Sequence, residues 1–282
     1  MVLLHSLEEL RKWQLDTAWS SHQTGFVPTM GALHEGHASL IRLAAARCER
    51  VIVSVLVNPT QFNAQDDFEA YPRTLDRDAA FAAEAGAEAV FAPSAENLYG
   101  GEPFAPAVDW GPLTHAYEGA HRPGHFDGVV AVVDLLFEAV RPSVAVFGEK
   151  DLQQVAVIKR LAQERHPALD VVVGPLVRDD HGLALSSRNA RLDPKGFVIA
   201  RTLSQTLRDM QKACAQGSDV ETALESGRDA LESNPEVRLE YLDVVNAQSF
   251  EPSRGAHDQG AHVVVAAQVQ GVRLIDNVPL RT

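Results

Sequence analysis

Two histidines three residues apart, His34 and His37, stand in the segment Pro28-Thr29-Met30-Gly31-Ala32-Leu33-His34-Glu35-Gly36-His37. Imidazoles at that spacing can face one way at the start of a helix and donate to an anion. Gly31 and Gly36 permit a tight turn and close backbone approach. They also match the two glycines of a phosphate-binding P-loop. His37 and Ala38, however, stand where that loop needs lysine and a magnesium-binding hydroxyl, which excludes it. His34-Glu35-Gly36-His37 is likewise one residue short of the zinc motif His-Glu-x-x-His. Two readings stay open: a histidine pair gripping nucleotide phosphates, or two histidines that merely cap a helix or lie at the surface.

Four further segments carry polar groups suited to anions or small polar substrates. Asn58-Pro59-Thr60-Gln61-Phe62-Asn63 offers amides for hydrogen bonding, or forms an ordinary Asn-Pro turn. Phe147-Gly148-Glu149-Lys150-Asp151-Leu152-Gln153-Gln154 places a lysine and free amides at a helix start, where anions are attracted. Lys150 is one of only five lysines, so its presence in a motif is informative. Gly182-Leu183-Ala184-Leu185-Ser186-Ser187-Arg188-Asn189 supplies two hydroxyls and an arginine, a phosphate clamp or a polar hinge. Arg122-Pro123-Gly124-His125-Phe126-Asp127-Gly128 is a Pro-Gly turn before a helix or a second anionic pocket.

Such loops need a scaffold that presents them together. Val51 to Val57 is a β-branched run suited to a strand buried on both faces. Short strands are expected at Gly25–Pro28, Ala89–Phe91, Val144–Phe147 and Val171–Val173. Helices are expected at His37–Cys48, Thr74–Ala85 (closed by Gly86), Phe126–Val140 (stopped by Pro142) and Asp151–Arg165. Strands alternating with crossover helices imply an α/β fold with a doubly wound parallel sheet, whose ligands sit beyond the carboxyl ends of the strands. That domain is expected to span residues 1–175. Residues 176–282 read as a smaller α+β module: helices Pro194–Ala215 and Asp219–Ser233, then strands Val237–Val245 and His262–Val269.

Composition narrows the function. The 282 residues, 45% hydrophobic and 22% charged, suffice for a packed core in one large or two modest domains. A formal net charge of −13 repels polyanions and argues against nucleic acid and membrane surfaces. Cys48 and Cys214 cannot build a disulfide framework or a cysteine zinc site. The charged run Glu8-Glu9-Leu10-Arg11-Lys12 follows Met1 closely, with no apolar leader and no long apolar span, so a cytoplasmic setting is expected.

In combination, these segments resemble the pantoate–β-alanine ligase family over nearly the whole chain. The resemblance rests on Pro28–His37, Asn58–Phe62, Tyr71-Pro72-Arg73-Thr74, Arg122–Val129, Phe147–Gln154, Leu185–Asn189 and Arg273-Leu274-Ile275-Asp276-Asn277. One small departure is Ala131-Val132-Val133 in place of Thr-Val-Val. More widely, His34–His37 is similar to the His-x-Gly-His segment of nucleotidylyltransferases and class I aminoacyl-tRNA synthetases.

The resemblance implies a Rossmann-like domain closed by a C-terminal lid, a homodimer, and a two-step reaction. Pantoate attacks the α-phosphorus of ATP, and β-alanine then attacks the resulting pantoyl adenylate. It implies ATP binding by Met30, Gly31, Ala32, Leu33, His34, Glu35, Gly36 and His37. Gly148, Glu149, Lys150, Asp151, Val177, Leu185, Ser186, Ser187 and Arg188 complete that site. His37, assisted by His34, is expected to act as proton donor to the leaving phosphates. Lys150 and Arg188 would stabilise charge. Gln61 and Gln154 would hold pantoate, Gln61 also bordering β-alanine. Mg2+ is expected to be held by phosphate oxygens and water rather than by a protein metal site. A nucleotidyltransferase that keeps AMP on its product, or a non-catalytic nucleotide-binding module, are the alternatives.

Overall fold

The computed structural model describes residues 1–17, 23–63, 65–255 and 257–281. One sheet is built from β1 (Val2–Leu4), β2 (Thr24–Thr29), β3 (Arg50–Val55), β4 (Ala89–Phe91), β5 (Val144–Gly148) and β6 (Asp170–Gly174). The accompanying helices are α1 (Leu7–Asp16), α2 (Glu35–Ala45), α3 (Gln65–Glu69), α4 (Leu75–Ala85), α5 (Ala95–Tyr99), α6 (Pro112–His115), α7 (Glu118–His121), α8 (His125–Val140) and α9 (Leu152–Arg165). Every strand pair in this sheet is parallel, in the order β1-β4-β3-β2-β5-β6. The doubly wound α/β expectation holds.

Alternation along the strands sorts the two faces. Phe26, Ile52, Phe91, Ala145 and Phe147 join the cluster that α8 and α9 cover. Their neighbours Val27, Val51, Val53, Val90 and Val146 face α2 and α4 on the other side. Helix α8 is buried over most of its surface because it lies between the sheet and the rest of the chain.

Strand order reverses between β2 and β5, which makes that junction the switch point. The two strands pair only at Gly25–Val144 and Phe26–Ala145, while each pairs with its outer neighbour to its own end. Pro28, which has no N–H to donate, falls where β2 has already parted from β5. A crevice opens there by construction.

A second, antiparallel sheet follows, made of β7 (Val237–Asn246), β8 (Ala261–Val269) and β9 (Val272–Pro279) in that order. Helices α10 (Pro194–Ala215) and α11 (Val220–Glu232) pack on it through Leu203, Leu207, Leu224, Val263 and Val265. Val245, Phe250 and Val264 instead join the cluster under α8, so this sheet also packs against the first.

Several elements depart from expectation, among them the short helices α3, α5, α6 and α7, each of four or five residues and too brief for a helical pattern to register. Strand β1 and helix α1 add to the predicted set; Ser6 caps α1 by accepting the Glu9 N–H at 3.1 Å. Strand β9 is a further addition, hidden because Arg273, Asp276 and Asn277 interrupt its apolar pattern. Elsewhere the shifts are small: α2 begins at Glu35, β3 covers Arg50–Val55, and a 3-10 turn at Glu149–Asp151 precedes α9.

Candidate active site

The loops that follow β2, β3, β5 and β6 surround one cleft of about 1210 Å³, its open mouth included. Met30, His34, Gly36, His37, Gln61, Gly148, Lys150, Asp151, Gln154, Val177, Leu185, Ser186, Ser187 and Arg188 all line it. Gly31, Ala32, Leu33, Glu35 and Glu149 do not line it. Glu35 is exposed and pairs with Arg42.

The histidine pair is organised by the start of α2. Nδ1 of His34 accepts the Gly36 N–H at 3.1 Å, and Nδ1 of His37 accepts the His34 N–H at 3.2 Å. The histidines cap the helix, as one of the two readings has it, and both also line the cleft. With both Nδ1 atoms accepting, a neutral ring carries its proton on Nε2. Burial lowers the His37 pKa to about 3, helped by His34 and Lys150. Burial and then Lys150 lower that of His34 to about 4. Each ring thus offers a neutral N–H as a hydrogen-bond donor rather than an acidic imidazolium.

Across the crevice, Lys150 leaves β5 with its ammonium 3.7 Å from Asp151 and mostly covered. Arg188 enters from the 3-10 turn Ser187–Arg191, capped by Ser186, which accepts the Arg188 N–H at 3.2 Å. Its guanidinium donates to Asp67 on α3 at 2.8 Å and lies 6.0 Å from the Tyr71 ring centre. A chain with net charge −13 thus gathers two imidazoles, an ammonium and a guanidinium around one cavity. Such an arrangement serves a polyanion.

On the third side, Pro59–Gln61 forms a 3-10 turn against α8. A Cβ at Gly128 would lie 2.3 Å from the Thr60 carbonyl oxygen, so only glycine permits this approach. The Asn58 amide donates to the Gly128 carbonyl at 3.1 Å and to Gln61 Oε1 at 3.2 Å. Beside these polar groups Val129, Val132, Val133 and Leu136 give an apolar wall. The segment Arg122–Gly128 contains the expected turn. It turns into α8, and Arg122 and His125 border a smaller cavity adjoining Lys150. His125 donates from Nδ1 to the Gln61 carbonyl at 2.9 Å, while Arg122 meets its Nε2 at 3.0 Å.

With that geometry established, likeness to known proteins becomes informative. The family described as pantoate-beta-alanine ligase matches residues 2–279. The chain belongs to the pantoate–β-alanine ligase family. A pantothenate synthetase of Nocardioides sp. is 46% identical over 99% of this chain and 85% of its own length. One from Rubrobacter xylanophilus is 45% identical over 99% of this chain and 98% of its own. The crystal structure of pantothenate synthetase from Thermus thermophilus matches with a TM-score of 0.93 at 41% identity, covering 100% of both chains. A pantoate-beta-alanine ligase from Francisella tularensis, complexed with beta-gamma ATP and beta-alanine, matches at 0.82 and 31%, covering 99% of this chain and 98% of its own.

Several groups that shape this pantoate–β-alanine ligase cleft escaped the sequence reading. Asp78 and Asp67, both on helices, hold the loop before His34 and the Arg188 side chain. Asn277 of β9 donates to the carbonyls of Glu149 at 2.9 Å and Lys150 at 3.1 Å, fastening the lysine loop. Arg273, earlier on the same strand, grips buried Glu118 through two bonds of 2.7 Å. Arg273–Asn277 belongs to the segments that carry the family resemblance, and these contacts give it a structural task.

Proposed function

We propose that this cleft joins pantoate to β-alanine in two steps at the expense of ATP. A pantoate carboxylate oxygen attacks the α-phosphorus, a P–O bond forms, and pyrophosphate leaves. The β-alanine nitrogen then attacks the acyl carbon of pantoyl adenylate; the C–O bond to AMP breaks and the nitrogen gives up its proton. A carboxylate is a weak nucleophile toward a polyanion, so neutralised charge and alignment carry the first step.

One observation carries this reading: His34, His37, Lys150 and Arg188, from three distant segments, share a cleft with Gln61 and Gln154. His34 and His37 donate hydrogen bonds to the phosphates, and Lys150 lies over the transferring phosphorus. Arg188, with Ser186, Ser187, Leu185 and Val177, closes the nucleotide side. Glu149 and Asp151 flank the lysine, while Gly31, Ala32, Leu33 and Glu35 shape the nucleotide loop from behind. Gln61 and Gln154 hold pantoate, whose geminal methyl groups suit the Val132, Val133 and Leu136 wall, and Gln61 adjoins β-alanine.

The cleft offers imidazole, ammonium and guanidinium groups, and no set of three His, Cys, Asp or Glu side chains able to hold a metal occurs among the described residues. Mg2+ would enter with the nucleotide, held by triphosphate oxygens and water, and would offset phosphate charge. Residues 1–175 are proposed as the nucleotide and pantoate domain and 176–282 as its lid, which shields the adenylate from water. Among the described residues no helix is long and apolar enough to cross a membrane. The family likeness supports a cytoplasmic homodimer, which light scattering tests as twice the 30.6 kDa chain mass.

The deciding experiment incubates the protein with ATP, Mg2+ and pantoate, with and without β-alanine. Pantoate alone should release one equivalent of pyrophosphate per active site. Adding β-alanine should give continuous turnover to pantothenate and AMP. Pyrophosphate release that ignores pantoate, or a product that retains AMP, would overturn the proposal.

A further inference from the structure

Asp78 sits on α4, outside the cleft lining, and is 1% exposed. Its carboxylate accepts the Ala32 N–H at 3.0 Å, the Leu33 N–H at 2.8 Å and the Thr74 hydroxyl at 3.1 Å. Those partners are two consecutive peptide groups and one side chain, with no cation among them. The peptides belong to a bend in which Gly31 has φ +87° and Ala32 has φ +51°. A left-handed alanine is strained, and it persists only where its surroundings hold it. A Cβ on Gly31 would meet an Asp78 oxygen at 3.0 Å, so the bend and the carboxylate fit closely. The bend runs between Met30, which lines the cleft, and His34, which caps α2.

We propose that Asp78 is a positioning residue for adenylation. It holds the Gly31–Leu33 bend and thereby sets the direction from which His34 and His37 meet the nucleotide. The inference rests on the proposed ATP-dependent reaction. It adds a consequence that charge alone would not produce. A buried anion behind a phosphate site opposes phosphate binding, so removing its charge should tighten ATP if electrostatics governs. If position governs, ATP must bind more weakly. Asparagine keeps one oxygen for Leu33, and its amide turns toward the Thr74 hydroxyl. The Ala32 N–H then loses its acceptor and the strained alanine is free to relax.

The test compares Asp78→Asn and Asp78→Ala with the wild-type chain in pantoate-dependent pyrophosphate release. Separate titrations of ATP, pantoate and β-alanine are paired with a thermal melt of each protein. Wild-type activity tests the reaction itself, so its failure is separable from failure of this assignment. The expected result is an ATP KM raised about tenfold and a kcat of adenylation lowered about tenfold or more, as misplacement of reacting groups produces. The β-alanine KM should not move. A merely structural role would reduce the active fraction, lowering kcat with every KM at its wild-type value, and would overturn the proposal. A fall in the ATP KM would overturn it as well. Should Asp78→Ala not fold, Asp78→Asn decides, supported by Thr74→Val, which keeps both carboxylate oxygens for the backbone and should leave the ATP KM near wild type.

Discussion

The main-chain N–H of His34 donates to Nδ1 of His37 at 3.2 Å, so the ring proposed to touch phosphate is aimed by the helix it begins. Capping and catalysis use different atoms of one imidazole and can be separated. Asparagine at position 37 places an oxygen near the Nδ1 position but has nothing at Nε2. His37→Asn is therefore expected to melt close to wild type while pyrophosphate release falls by about 10²–10³-fold, the loss typical of one transition-state donor. His37→Ala should lose the same activity and also about 1 kcal/mol of stability with the cap. Equal activity in His37→Asn and wild type would show that Nε2 does no chemistry.

Acid should weaken the fold early. His37 and His125 have pKa values lowered to about 3 and His34 to about 4, in each case mainly by burial. An unfolded histidine takes up a proton near pH 6.5, which these folded rings refuse until far lower pH. The unfolded state thus binds more protons between those limits, and stability falls as pH drops through that window. The loss is about 1.4 kcal/mol per ring for each pH unit. Urea midpoints measured from about pH 7 down to about pH 5 should decline steadily. Glu118 stays ionised across that range, because the Arg273 ion pair holds it down at about 2 against the opposing effect of burial. A flat profile over that range would contradict the buried, neutral state of the three rings.

Arg188 meets Asp67 in the structure at 2.8 Å, and Arg191 reaches the same carboxylate at 3.1 Å. A triphosphate must compete with Asp67 for the Arg188 guanidinium. Asp67→Asn is expected to lower the ATP KM by about two- to fivefold, the scale of a partly exposed ion pair, with the difference shrinking in high salt. Arg188→Ala should move the ATP KM the other way. An unchanged or raised ATP KM in Asp67→Asn would mean that the pair organises Arg188 instead of occupying it.

What the sequence disclosed follows the range of each interaction. Strands with helical crossovers announce themselves by local patterns, and the loops with glycine, histidine and lysine stand out because their chemistry is unusual. Strand β1 has three residues and pairs only with β4, too little for periodicity to register. Strand β9 hides because Arg273, Asp276 and Asn277 serve partners on Glu118, Arg178 and the lysine loop. Asp67 and Asp78 look like solvated positions of helices rich in acid. Only the packing of α4 beside α2, and of α3 beside the Arg188 turn, reveals that they face inward. The carboxylates that hold the Gly31–Leu33 bend and engage Arg188 were therefore illegible, whereas the histidines and cations of the cleft were not.

The orientation of Gln61 is fixed by a relay that also predicts its role. Asn58 Oδ1 accepts from the Thr60 and Tyr99 hydroxyls, each at 3.1 Å, which leaves its Nδ2 to donate to Gly128 and to Gln61 Oε1. With Oε1 engaged, Gln61 presents its Nε2 hydrogens, whose nearest partner is the weakly accepting Met30 sulfur. A carboxylate or hydroxyl of pantoate is a better acceptor and should displace that contact. Gln61→Glu keeps the shape but turns the donor into an anion, so the pantoate KM should rise by more than about tenfold, at least the worth of one charge-assisted hydrogen bond. The ATP KM should stay near wild type, because the triphosphate is held by the other wall of the cleft. Gln61→Ala should show the same selectivity more mildly. If both substrates weaken together, Gln61 supports the cleft as a whole and the assignment of pantoate to it is wrong.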